Sequence, residues 1–232
     1  MIQLLILVLV SVIIGLGLSY LSVKRTLQML DEQGTPLRDA ALQPYLIRLA
    51  RALDLPALSV NVLEIAPING LAAPDGRIYL TRGFLEKYRA AEVSAEELAG
   101  VIAHELGHVA LGHTRRRIID VTGRNAFALV LQMVLGRFIP IFGIYLANLI
   151  ANFAAAHLSR RDEHEADAFA SALLVKSGIG TAPQKSLFRK LDRLTGQTGT
   201  PPAWMLSHPP TAERIAAIEA REARWAQPAR PA

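Results

Sequence analysis

The chain has 232 residues, 51% of them hydrophobic and 19% charged, and a net charge of +5 from 25 Lys and Arg against 20 Asp and Glu. That length suits one catalytic or binding core with appendages, and the apolar content excludes a disordered chain. Cysteine is absent, which excludes disulfide scaffolds, thiolate zinc sites, iron–sulfur clusters and thiol nucleophiles, and leaves six histidines as the soft ligands.

Residues 1–23 carry no charge and are mostly Leu, Ile and Val. As a helix they are long enough to span a hydrocarbon core of roughly 30 Å. No Lys or Arg precedes the run, and Tyr20-Leu21 is a poor approach to a cleavage site, so an uncleaved transmembrane helix is expected rather than a signal peptide. A periplasmic soluble form released from a signal peptide is the competing reading. Lys24, Arg25 and Arg38 follow the run, and the positive-inside rule then puts the downstream chain in the cytoplasm.

A helix is expected over residues 35–53, from the spacing of Leu42, Leu46, Leu49 and Leu53, with Pro44 limiting its start. Residues 58–65 alternate as a strand, and Asp75-Gly76 marks a hairpin between residues 70–73 and 77–81. These three strands predict a small antiparallel sheet. Ser94 with Glu97 has capping-box spacing and opens a long helix to about Arg117. Residues 125–156 hold a single charge, Arg137, with Pro140 nearby. They predict a hydrophobic helical hairpin, packed on the domain or lying shallowly in the bilayer. Helices follow over 159–176, ended by Gly178 and Gly180, then near 184–194 and over 211–225, with a linker at 195–203 and a disordered tail over 226–232. The domain plan is an anchor (1–23) and one folded domain (24–225) carrying the hairpin as an insert.

The long helix contains His104-Glu105-Leu106-Gly107-His108. Residues i and i+4 share a helical face, so both imidazoles can reach one metal ion with Glu105 beside it. Zinc suits such ligands, and Glu105 is placed to take a proton from water. Three fixed residues alone are a weak signal, since two histidines on a helix face can simply be solvated. The surrounding helix is apolar, however, and isolated polar groups buried there would be costly. A third ligand is needed, and Glu163 and Asp167 stand at i and i+4 downstream. One carboxylate can bind the metal while the other accepts the second N–H of a ligand imidazole. The two halves of this set flank the hydrophobic insert, so any crossing between them must be even in number. Two spans need about 40 residues, against the 32 of residues 125–156.

Taken together, His104–His108, the Ser159-Arg160-Arg161…Glu163…Asp167 segment, His208-Pro209…Arg214 and the Asn69–Pro74 stretch resemble the zinc endopeptidase family of HtpX and the type I CAAX prenyl proteases. The resemblance runs from about Leu37 to Glu219 and implies an α+β, mainly helical, zincin-type metalloprotease domain. It implies one zinc per chain on His104, His108 and Glu163, with Glu105 as general base and acid and Asp167 orienting His104. It also implies substrate polypeptide added as a strand along Asn69, Gly70, Leu71 and Ala72. His208 and Arg214 match family positions near the metal and could stabilise an oxyanion; a helix start and a surface ion pair are their plainer reading. Two departures bear on substrate preference: His164 stands where the family has an aromatic residue, and Gly70-Leu71 replaces the commoner Ala-Phe.

The remaining histidines fit the metal less well. His164 points about 100° from Glu163 on a helix, His113 is off the ligand face with a solvated or capping role, and His157 has no evident partner. Arg115-Arg116-Arg117 lacks interleaved aromatics, so no nucleic-acid partner is expected; lipid head groups or a plain solvated helix end account for it. The function expected is a membrane-anchored zinc endopeptidase in membrane-protein quality control, in a bacterial inner membrane with a cytoplasmic catalytic domain. A non-catalytic tethered chaperone or adaptor keeping the fold is the alternative, and the intact Glu105 argues against it.

Overall fold

The computed structural model describes residues 2–113, 127–128, 130–135, 139, 142–195 and 211–227, with side chains at all of these except 2–8, 11, 19, 142–143, 153–157, 192 and 195. The chain divides into two compact units, residues 32–111 with 163–232, and residues 1–31 with 112–162.

The first unit holds the sheet. Its strands are β1 (Gly34–Pro36), β2 (Val60–Leu63), β3 (Gly70–Ala72) and β4 (Ile78–Thr81), in the order β1-β2-β4-β3. β1 is antiparallel to β2, β2 is parallel to β4, and β4 is antiparallel to β3. The sheet is therefore mixed, not antiparallel as expected. The Asp75-Gly76 turn does join β3 to β4, with Gly76 at φ 90. The difference is that β4, buried at every position, returns inside β3 and takes the central place beside β2. Alternation tells which side chains face the core and nothing about which strand lies alongside.

β1 and α2 (Gln43–Ala52) stand where one helix over 35–53 was expected. Pro44 sits in the first turn of α2, where its missing N–H costs nothing, so it starts the helix instead of disturbing it. The Asp39 carboxylate accepts from Ala41 N–H at 3.0 Å and Leu42 N–H at 2.8 Å, tightening the turn before it. A helix that patterning missed, α3 (Arg82–Arg89), is capped by the Thr81 hydroxyl, which accepts from Phe84 N–H. It begins with a tight approach: a Cβ added at Gly83 would stand 1.8 Å from the Ala66 carbonyl oxygen. Gly83→Ala is expected to lower the unfolding free energy by about 3 kcal/mol, since the obstacle is backbone. A urea melt with an unchanged midpoint would refute that.

α4 (Ala95–Ala110) opens on the expected capping box: Ser94 Oγ accepts from Glu97 N–H at 3.2 Å, and Glu97 Oε2 accepts from Ser94 N–H at 2.8 Å. It ends earlier than Arg117, at Leu111 and Gly112, the latter at φ 70; Arg115–Arg117 lie outside the described residues. Every residue from Glu97 to His108 is buried. α4 packs on β3, β4, α2 and α6 (Ala182–Thr195), so it has no solvent face in this stretch. Leu49, Leu80, Ile102, Leu174 and Leu187 belong to the shared core. The last helix, α7 (Thr211–Trp225), packs on α6. Of the predicted linker over 195–203, residue 195 ends α6 and residues 196–203 lie outside the described residues, as do residues 228–232 of the predicted tail over 226–232.

α5 (Phe142–Lys176) is one helix of 35 residues. The second arm of the expected hairpin and the helix bearing Glu163 and Asp167 are thus continuous, because nothing between Ala156 and Ser159 breaks a helix. Gly178 and Gly180, at φ 70 and 81, end it as expected.

In the second unit, α1 (Ile2–Gln33) runs past the apolar stretch, and Leu9, Ile13, Ile14, Leu18 and Leu21 on it are exposed. Ile144, Tyr145 and Leu149 on α5 are exposed as well. Gln132 donates to Asn148 Oδ1 at 3.2 Å. Contrary to expectation, His113 is buried and not solvated, with Nε2 3.7 Å from Asp162 Oδ1. Among the described residues no helix is long and apolar enough to cross a membrane.

Candidate metal centre

α4 presents His104 and His108 one turn apart on the face that meets α5. The contact is close because Gly107 lies between: a Cβ there would stand 2.9 Å from the Ala166 carbonyl oxygen. Glu163, three residues before Ala166 on α5, is thereby brought to both rings. His104 Nε2 is 3.3 Å from Glu163 Oε2, His108 Nε2 is 3.4 Å from Glu163 Oε1, and the two Nε2 atoms are 3.1 Å apart. The rings meet edge to face. All three side chains are buried.

Three potential ligand atoms within 4.8 Å of one another form a set able to hold a metal. The donor chemistry fits zinc, which takes two imidazoles and a carboxylate in open sites that keep a position for water. The Glu105 carboxylate supplies a second sign of fit. Glu105 is buried, and its Oε1 has no hydrogen-bond partner among the described residues. An unsatisfied carboxylate oxygen is costly in a protein interior, and in a hydrolytic site it is the group that a water would meet.

Asp167 Oδ1 stands 2.9 Å from His104 Nδ1. Accepting from Nδ1–H leaves the lone pair on Nε2, the atom that faces His108 and Glu163. Burial alone would lower the His104 pKa, but the hydrogen bonds to Asp167 and Glu163 outweigh it and raise the value from 6.5 to about 9. Burial alone would raise Asp167; the Arg214 guanidinium and His104 outweigh that and hold its carboxyl well below the ordinary carboxylate range.

The sequence-derived set divides as follows. His104, Glu105, His108, Glu163, Asp167 and Arg214 come together, whereas His208 lies outside the described residues. Arg214 sits on the Asp167 side of His104, fully buried. Asn69 leads into β3, donating its N–H to Thr81 Oγ1 at 2.9 Å, and its buried Oδ1 has no partner among the described residues. Gly70, Leu71 and Ala72 form β3 at the end of the strand order. A Cβ at Gly70 would meet Glu105 Oε1 at 3.3 Å and Val101 Cγ1 at 2.8 Å, so this strand borders the Glu105 carboxylate. His164 turns away to Glu213 Oε1 at 3.1 Å; the His157 side chain is outside those described.

Sequence reasoning missed the supports of this cluster. Ser171 Oγ donates to the Asp167 carbonyl at 2.7 Å and is 3.0 Å from Gln184 Oε1. Glu97, at the start of α4, also accepts from Ser186 at 2.7 Å and Lys190 at 2.8 Å, tying that helix to α6. The Asp167–Ser171 spacing of four was a usable signal; the Glu97 contacts have none, being set by how α4 and α6 pack.

A helix carrying two imidazoles and a glutamate, met by a carboxylate from a second helix over a small sheet, is the arrangement of a zinc metallopeptidase. The chain belongs to peptidase family M48, which it matches over residues 36–222, and zinc is the family's metal. It is 32% identical over 164 residues to the Escherichia coli metalloprotease LoiP, covering 71% of this chain and 62% of that one. It is 30% identical over 184 residues to the E. coli metalloprotease YcaL, covering 76% and 68%. With the human CAAX prenyl protease 1 homolog it shares 33% identity over 153 residues, covering 53% of this chain and 30% of the other. The chain thus spans less than two thirds of LoiP and under a third of the human protein.

Proposed function

We propose that this protein is a zinc endopeptidase, anchored in a membrane by α1, that hydrolyses peptide bonds of extended polypeptide. The observation carrying this reading is the buried His104–His108–Glu163 cluster with the unpartnered Glu105 oxygen beside it. His104, His108 and Glu163 would hold the metal, which when bound supplies Lewis-acid polarisation of the scissile carbonyl and acidifies water. Glu105 takes the proton of the attacking water and returns it to the departing amine. Asp167 keeps His104 in the tautomer that offers Nε2. β3, last in the sheet and bordering Glu105, is the edge on which substrate would add as a strand, with main-chain hydrogen bonds giving affinity that does not depend on side chains. His208 and Arg214 match family positions near the metal.

The anchor rests on the charge-free stretch of residues 2–23 and on the exposed apolar side chains of α1. Resemblance to HtpX supports a role in clearing damaged membrane proteins, with the domain on the cytoplasmic side of a bacterial inner membrane. Two measurements test the reading. Chelator treatment of the purified chain should abolish cleavage of an unfolded model polypeptide, and one equivalent of zinc should restore it; activity indifferent to chelation would sink the enzyme. Alkaline extraction should leave the chain in the membrane pellet with residues 1–23 still attached; a mature protein lacking them would sink the anchor.

A further inference from the structure

We propose that Arg214 is a positioning residue of the metal centre, fixing the His104 imidazole through Asp167 instead of contacting substrate. The inference rests on the zinc reading above and adds a residue that acts through another.

The geometry is specific. Arg214 Nε donates to Asp167 Oδ2 at 2.7 Å and Nη2 donates to Asp167 Oδ1 at 2.7 Å. Two parallel bonds of this kind fix the plane of the carboxylate as well as its place. The carboxylate oxygen Oδ1 is the one that meets His104 Nδ1. Arg214 Nη2 also stands 3.3 Å from His104 Nδ1, and the guanidinium carbon lies 4.1 Å from the centroid of the Phe188 ring. Arginine, aspartate and imidazole thus form a relay on the Nδ1 side of His104. The ligand cluster lies on the other side of the ring, at Nε2. An oxyanion would develop on the Nε2 side, and a fork committed to Asp167 is aimed elsewhere.

Charge bookkeeping supports the same reading. Asp167 and Arg214 are both fully buried. A buried carboxylate that lost its cation would be left uncompensated, and breaking such a pair is far more disruptive than replacing both members. α7 carries Arg214 and is held to the rest of its unit independently of the metal centre. Lys185 Nζ on α6 donates to Glu222 at 2.6 Å, and Arg221 Nη2 donates to the His164 carbonyl at 3.2 Å. The relay therefore starts from a docked helix, and Phe188 stops the guanidinium from swinging off Asp167.

The test is zinc affinity of the full chain, read by competition with a chromophoric chelator at fixed pH, alongside kcat and KM at saturating zinc. Arg214→Met and Asp167→Asn are each expected to weaken zinc binding about 10–100-fold, with KM for polypeptide unchanged. The double variant should fall within about twofold of Asp167→Asn, because both bonds of the Arg214 fork go to that carboxylate and it is the carboxylate that holds His104. Arg214→Lys, which keeps the charge and loses the fork, should recover part of the affinity. Native zinc affinity in Arg214→Met, with kcat reduced at saturating zinc, would overturn the proposal. So would losses that multiply in the double variant. If Arg214→Met does not fold by circular dichroism, Asp167→Asn against the double variant, which carries no uncompensated charge, still decides. A wild type that neither binds zinc nor cleaves would remove the zinc reading itself; a wild type that does both, with multiplying losses, removes only the role given to Arg214.

Discussion

Glu105→Gln is expected to cut turnover of an unfolded polypeptide by about 10²–10⁴-fold while leaving one zinc per chain. The reasoning starts from burial. Glu105 is 3% exposed and its Oε1 is unpartnered among the described residues, so at that oxygen the buried charge is uncompensated. A glutamine of the same shape removes the ability to accept a proton and leaves the ligand set of His104, His108 and Glu163 untouched. Stability should stay level or rise, because a carboxylate with an unsatisfied oxygen costs more to bury than an amide. Loss of activity with retained zinc and an unchanged or higher melting temperature is thus the expected combination. Equal cleavage by Glu105→Gln and wild type would remove Glu105 as the base, and a zinc-loaded wild type that does not cleave would favour a tethered chaperone that keeps the fold without the chemistry.

The second large effect is the competition between zinc and a proton at His104. In the metal-free chain its pKa is raised from 6.5 to about 9. A group with a raised folded value contributes stability that is complete below the unfolded pKa and is lost as pH rises through the folded one. The metal-free protein should therefore weaken by about 3 kcal/mol between pH 6.5 and 9. Zinc must displace that proton, so its affinity should tighten about tenfold per pH unit up to about pH 9. Urea melts of chelator-stripped protein and zinc titrations across this window read both trends. A flat stability profile together with pH-independent zinc binding would show that His104 carries no proton in the metal-free chain. Asp167 has the opposite sign: its pKa is held low, so its contribution is present above the unfolded value near 4 and is lost only in acid.

The legible parts of this molecule are those written in local chemistry. The i, i+4 histidines, the capping box at Ser94 and the left-handed glycines after α5 each depend on residues within one turn of helix, and the structure has them where the spacing put them. The less legible parts depend on which surfaces meet. β4 pairs in parallel with β2 because the chain returns inside β3, and no alternation of Val60 and Val62 encodes that partner. α3 was missed because it is only 8 residues long, with its start set by one threonine hydroxyl. His113 read as solvated or capping, whereas it is buried; its position off the ligand face says nothing about what covers it. Arg214 stands beside His104, near the metal site as its match to a family position implied, but its fork to Asp167, a contact 47 residues away in sequence, has no local signal.

The spacing of the ligands along the chain has its own consequence. His108 and Glu163 are separated by 55 residues, so a metal joining them would act as a crosslink in a protein that has no cysteine to make one. Closing a loop costs entropy that grows only with the logarithm of its length, about 0.6 kcal/mol for each doubling. The segment between the two helices could be halved or doubled with little change in the cost of assembling the centre. Insert length is therefore nearly free to vary, and the span between the ligands can be refitted to a different surrounding while the hydrolytic chemistry stays the same.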